Sequence, residues 1–322
     1  LWTAWTSAAF IVGPLLGGVL TDLISWRWVF VINVLPIVVT LVLMRAMRNE
    51  PAAVRTPIDG LGAALGAVGL GGVVFALIEQ ANYGWSSAVV LVPLVVGALS
   101  LIGFLMRQAT AQHPMMPLSL FRQRNFAAGN LATVMIYAAL SVSGLVIVVY
   151  LQQVAGLSAT VSGLVMLPLT IMLIAFSSRF GTLAGRLGPR WFMAGGPALA
   201  AIGFVLLRAI ETPFDFVSQA LLGVLLYGLG VAITVAPLTS AILGAIEPER
   251  SGIASAVNNA LARIAGLVAI ALLGAVIGTT VDDAWLDAAL MLCAGLMVAG
   301  ALISAIGIQN PVRTTAATVS EG

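Results

Sequence analysis

Apolar runs of about 20 residues, long enough to cross a hydrocarbon core, recur along the whole of this 322-residue chain. No other feature constrains the fold as strongly. A soluble domain covers its surface with charge, typically about 25% of its residues. Here 8% of residues are charged and 61% are hydrophobic. An unusually apolar soluble core is a far poorer account than a membrane protein. The sequence therefore specifies an all-α polytopic membrane protein.

Ten spans are predicted, at about residues 3–22, 28–46, 60–81, 87–106, 126–150, 158–178, 191–209, 216–243, 252–277 and 286–307. Most are separated by short polar or Gly/Pro-containing turns. Two connections are longer. Arg48 to Asp59 contains Pro51 and Pro57; Arg107 to Asn125 contains Pro114, Pro117 and the Phe121-Arg122-Gln123-Arg124 cluster. They divide the chain into two spans, two spans and six.

Arginine placement orients the spans, because cytoplasmic loops carry the excess of positive charge. All 14 basic residues are Arg. With the 46–59 loop inside, alternation puts Arg45, Arg48, Arg55, Arg107, Arg122, Arg124, Arg179, Arg186, Arg190, Arg250 and Arg313 on the cytoplasmic side. The outer side receives Arg27 and Arg208, with the acids Glu79, Glu211, Asp215, Asp282, Asp283 and Asp287. Trp26, Trp28, Trp85 and Trp285 fall at outer span ends, where indoles settle. Asp22 also lies at an outer end and reads as a solvated, interfacial acid. The chain is expected in the cell membrane with its C-terminus cytoplasmic.

Several chemistries are disfavoured. The net charge of +2 gives no basis for nucleic-acid binding. One cysteine, Cys293, and one histidine, His113, provide neither an intrachain disulfide nor a zinc site nor a Cys/His nucleophile pair. No metal, cofactor or enzymatic activity is expected. The partners expected are the lipid bilayer and a small-molecule substrate, with the protein a monomer. The chain opens Leu1-Trp2-Thr3, with no signal peptide, and reads as the middle of a longer protein.

Within the spans, spacing marks four patterns. Ala9, Gly13 and Gly17 lie four apart on one helical face, with Pro14 and Gly18 beside them. This face lets another helix approach closely, and Pro14 removes a backbone donor. Asn130, Thr133, Tyr137 and Ser141 form a polar stripe in the fifth span, and Gln219, Gly223, Tyr227, Gly230 and Thr234 form another in the eighth. Ser255, Asn259 and Arg263 also lie four apart, with Arg263 the deepest charge in the chain. Polar groups in a membrane are costly, so each stripe faces either a wet cavity or a hydrogen-bonding neighbour helix. Arg263 cannot release its proton. It is suited to bind an anion, to pair with an acid, or to snorkel to the headgroups.

Gly13-Pro14-Leu15-Leu16-Gly17-Gly18 resembles the antiporter motif in the fifth span of major facilitator superfamily exporters. With Trp26-Arg27-Trp28-Val29-Phe30-Val31-Ile32-Asn33 after it, the string is similar to the 14-span drug:proton antiporters of the EmrB/QacA type. Asp59-x-x-Gly62 and Gly84-Trp85 resemble that family's inserted span pair. Tyr150-Leu151-Gln152-Gln153-Val154, Gly163-x-x-x-Leu167-Pro168 and Gly252-Ile253-Ala254-Ser255-Ala256 resemble parts of its second half. Ala9 stands where the family usually has Gly.

The resemblance implies a major facilitator fold with ten helices of fourteen. Residues 1–47 would be the end of the N-terminal bundle. Residues 48–107 would hold the linker and inserted pair, 108–125 a cytoplasmic loop, 126–310 the C-terminal six-helix bundle and 311–322 a tail. It implies an efflux transporter driven by the proton gradient, with amphipathic substrates and the two stripes lining the C-terminal half of their path. The coupling acid would lie in the first span of the family. Gly181 to Arg190 resembles the superfamily's loop signature, with Gly181, Arg186, Gly188 and Arg190 as a cytoplasmic gate loop and Gly185 in place of the usual Asp. An importer of the same fold, a structural membrane protein, a membrane enzyme and a channel are the competing functions. The antiporter motif disfavours the first, and the chain lacks the catalytic or pore-lining groups of the last two.

Overall fold

The computed structural model describes residues 16–46, 59–112, 114–278 and 280–310, and it is helical. The helices are α1 (16–23), α2 (Trp28–Val31), α3 (Val34–Ala46), α4 (Gly60–Tyr83), α5 (Ala88–Thr110), α6 (Arg124–Gln153), α7 (Ala159–Val165), α8 (Leu167–Leu187), α9 (Arg190–Leu207), α10 (Leu221–Leu243), α11 (Ser251–Ile277) and α12 (Asp283–Gly307). Among the described residues, nine stretches are long and apolar enough to cross a membrane. Their bounds fall within a few residues of eight of the predicted spans. The exception is the α7–α8 stretch, which runs on to Leu187. Most of the first predicted span lies outside the described residues, and α1 is its end.

Local chemistry sets the helix ends. Asp59, Ser87, Ser158 and Asp282 cap α4, α5, α7 and α12 by accepting backbone N–H bonds in the first turn. Gly84 and Gly188 follow α4 and α8 with φ of 74° and 94°, a region that glycine enters without a Cβ penalty. Pro168 lies at the start of α8, just after the break with α7.

The last six spans share one buried core. Phe126, Ile136, Ile147, Tyr150, Leu151, Met193, Phe204, Leu207, Leu238, Ile242, Leu286 and Leu290 are its largest fully buried members. Within it α6 packs on α11 and α12, α12 on α9, and α10 on both α8 and α9. Helices α4 and α5 form a hairpin that meets the rest through α4 and α11, where Val74 and Leu77 pack on Ala271. No residue of the 28–45 stretch is buried.

Lipid gives helices no hydrophobic reason to associate, so small residues and side-chain hydrogen bonds must do it. The α4–α5 hairpin closes on Gly69, Gly72 and Gly97. A Cβ on Gly72 would lie 2.5 Å from the Pro93 carbonyl oxygen. The buried Asn130, Thr133, Thr234 and Ser304 each donate to the carbonyl four residues earlier, so none carries an unsatisfied donor into the apolar interior.

Candidate functional site

The first polar stripe lies against α11. Asn258 donates through Nδ2 to Asn130 Oδ1 (3.1 Å) and Thr133 Oγ1 (2.8 Å), joining the N-terminal halves of α6 and α11. Further along, Gly266 brings α11 against Ser141, whose Oγ would lie 2.2 Å from a Cβ at that position. Tyr137 is half-buried between these two contacts. Asn259 and Arg263 are exposed on the adjoining face of α11. Asn259 donates to the Ser255 carbonyl of its own helix.

Sequence reasoning named Asn259 and missed Asn258. The discriminating signal is phase. Asn258 shares its face with Ala254 and Ala262, which are buried, and Asn259 shares its own with Ser255 and Arg263. A polar residue among alanines on one face reads as a clasp between helices.

The second stripe lies elsewhere. Tyr227 is buried, shares a 3.0 Å hydrogen bond with Ser143 and stacks on Phe204 at 4.4 Å between ring centroids. Thr234 is buried where α9 crosses α10. Gly223 and Gly230 allow that crossing together with Gly203 and Gly196, and a Cβ on Gly203 would be 2.5 Å from the Tyr227 nitrogen. Gln219 lies just before α10, where it donates to the Pro213 carbonyl and accepts from the Glu211 and Asp215 backbones. These contacts are interhelical packing and loop tethering. The structure does not bring this stripe to a face shared with Tyr137 and Arg263.

Of the antiporter-motif residues, Ala9, Gly13 and Pro14 lie outside the described residues. Gly17 has nothing within 4 Å of an added Cβ, whereas Gly18 lies directly on the start of α7, its Cβ position 2.7 Å from Thr160 Cα. One turn on, the Asp22 carboxylate accepts from the backbone nitrogens of Ala159 (3.0 Å) and Thr160 (2.8 Å) and from the Thr160 hydroxyl. Asp22 is exposed, as an interfacial acid should be. It is also engaged, latching the end of the first span to the start of a span in the six-helix core.

The gate-loop reading needs correction. Gly181 through Leu187 are helical, within α8, and only Gly188 and Pro189 turn the chain. Gly181 faces Ala236 of α10. Arg186 is exposed near the end of α8. Gly188 lies under Asn310, which accepts from the Arg190 backbone N–H. The Arg190 guanidinium donates to the Ala305 carbonyl at 2.8 Å, and Arg124 donates to those of Ile306 and Gly307. Two cations thus satisfy the free carbonyls at the C-terminus of α12, where the helix dipole is negative.

Two further clusters stand at span ends. Asp59, buried at the base of the hairpin, accepts from the Gly62 backbone (3.0 Å) and pairs with Arg107 (3.1 Å), while Gln108 approaches it and accepts from the Met116 backbone. The Gly62 N–H, then Arg107, hold the Asp59 carboxyl below its ordinary range. A Cβ on Gly62 would sit 2.5 Å from Asp59 Oδ2, so a larger residue there would displace the carboxylate. At the other end of α6, Tyr150 donates to Asp283, and nearby Arg208 at the end of α9 pairs with Asp287 of α12. Trp285 is buried and bonds the Gly278 carbonyl at 3.1 Å, so it is a core residue and not an interfacial anchor.

The profile of the Major Facilitator Superfamily matches residues 1–270. The chain belongs to the major facilitator superfamily. It is 32% identical over 294 residues to the multidrug resistance protein Stp of Mycobacterium tuberculosis, covering 90% of this chain and 53% of that protein. It is 30% identical over 278 residues to the methylenomycin A resistance protein of Bacillus subtilis, 86% of this chain and 59% of that one. The multidrug export protein EmrB of Escherichia coli is 33% identical over 274 residues, 83% of this chain and 53% of its own length. The chain spans a little over half the length of these relatives. They carry the names of resistance and export proteins, as the resemblance to drug exporters anticipates. This superfamily member is a multi-pass membrane protein of a transporter family, and not an enzyme.

Proposed function

We propose that this chain is the central and C-terminal part of a proton-driven exporter of small amphipathic molecules, working by alternating access. The observation that carries the reading is the α6–α11 seam. Asn130, Thr133, Tyr137 and Ser141 meet Asn258 and Gly266 there, beside the exposed Asn259 and Arg263. Polar groups concentrated on one seam of otherwise apolar spans suit a substrate path. Residues 126–310 act in this reading as one six-helix bundle, with 48–107 carrying an added hairpin and 1–47 the end of the opposing bundle. The Asp22 contact to Ala159 and Thr160 then closes the outer side between bundles. The arginine-rich loops and the C-terminal tail face the cytoplasm, and the transporter is a monomer. The names of the relatives support export as the direction.

Efflux of a cationic dye from cells carrying the full-length protein tests this. Efflux should stop on adding a protonophore and resume when the gradient is restored. Efflux that ignores the protonophore rejects proton coupling, and the absence of energy-dependent efflux rejects the exporter.

A further inference from the structure

Among the described residues, Arg263 is the guanidinium farthest from a helix end. It is twelve residues past Ser251, about 18 Å along the helix at ~1.5 Å per residue. Tyr137 is thirteen residues past Arg124, about 20 Å at the same rise. Both helices start on the arginine-rich side, so the two side chains stand at one level near the middle of the membrane. A Cβ on Gly266, three residues on from Arg263, would lie 3.8 Å from the Tyr137 carbonyl oxygen, so α11 and α6 are close at this level. Among the described residues, neither side chain has a hydrogen-bond or ion-pair partner, while every acid lies at or near a span end or in a connection. An unpaired guanidinium at this depth is costly. Tyr137 stands at the same level on the neighbouring α6, a phenol with a free donor. Together they offer two or more donors and no competing carboxylate.

We propose that Arg263 and Tyr137 form a binding locus for a carboxylate or similar oxyanion carried by the transported molecule. Arg263 supplies charge-assisted hydrogen bonds in a planar fork, and Tyr137 supplies a third donor from α6. The assignment rests on reading the α6–α11 seam as substrate path. It adds that the path selects for an acidic group, so zwitterionic amphipaths are favoured over simple cations.

Rhodamine B and its ethyl ester share one cationic scaffold and differ in the carboxylate. Binding of each to the purified full-length protein is read by fluorescence anisotropy. The wild type should bind the acid more tightly than the ester. Arg263→Gln should weaken the acid about ten- to a hundredfold, the range of a lost charged hydrogen bond, and leave the ester within about threefold. Arg263→Lys should restore part of the preference, and Tyr137→Phe should lose a smaller part. Unchanged ester binding is the control for an intact fold, and Tyr137→Phe reads the preference independently should the Arg263 variants misfold. A wild type without preference for the acid overturns the proposal, as does an equal loss for both dyes, the signature of an ion pair within the protein. Efflux indifferent to a protonophore would sink the coupling reading and leave this binding difference standing.

Discussion

Gly195 and Gly196 are neighbours in α9 that should respond oppositely to one methyl group. An added Cβ on Gly195 meets nothing within 4 Å. On Gly196 it would lie 2.2 Å from Thr234 Oγ1, 2.7 Å from the Gly230 carbonyl oxygen and 3.1 Å from Ile233 Cγ2. The second contact is backbone and cannot rotate away, so Gly196→Ala must push α9 off α10. Overpacking of this kind costs about 1–3 kcal/mol. Both variants gain the same helix propensity, at most about 1 kcal/mol, so the difference between them isolates the clash. That difference should be about 1–3 kcal/mol, roughly five- to 150-fold in the folding equilibrium. Thermal unfolding in one detergent reads it as a lower midpoint for Gly196→Ala, with Gly195→Ala at or above wild type. Adding Thr234→Ala to Gly196→Ala should recover only part of the loss, since the Gly230 carbonyl remains. Equal midpoints for the two single variants would refute the close α9–α10 crossing.

Two further predictions concern span ends. Asp22→Ala removes the acceptor for the Ala159 and Thr160 nitrogens, so a cysteine at Ala159 should react faster with a membrane-impermeant maleimide; an unchanged rate refutes the latch. Asp59 has its folded pKa depressed, first by the Gly62 N–H and then by Arg107. The stability it contributes is therefore present above the ordinary carboxylate value of about 4 and is lost as pH falls through the lower folded value. Protease resistance of the 111–123 connection should persist at neutral pH, drop at acid pH in the wild type, and be low throughout in Asp59→Asn. A pH profile unchanged by the substitution would show that Asp59 does not hold the base of the hairpin.

The sequence alone determined the nine described spans and, α8 apart, where they end. The reason is local: about 20 apolar residues cross the hydrocarbon core, and Ser87, Ser158, Gly84 and Gly188 mark ends through capping and backbone geometry that act within a turn. The extent of α8 escaped it, since glycines and arginines that look like a loop are tolerated in a helix that packs against α10. Tertiary structure alone decided which polar stripe meets what. Spacing places Asn130, Thr133, Tyr137 and Ser141 on one face, and Tyr227 and Thr234 on another. In an apolar medium no amphipathic contrast tells whether that face meets a cavity or a helix. Packing resolved it: Tyr227 and Thr234 are enclosed by α6 and α9, Asn258 clasps α6, and Tyr137 and Arg263 remain at one level as donors without a partner among the described residues. The membrane rewards any hydrogen bond that a polar side chain can reach, and which ones are within reach depends on how closely glycines such as Gly196, Gly230 and Gly266 let the helices approach.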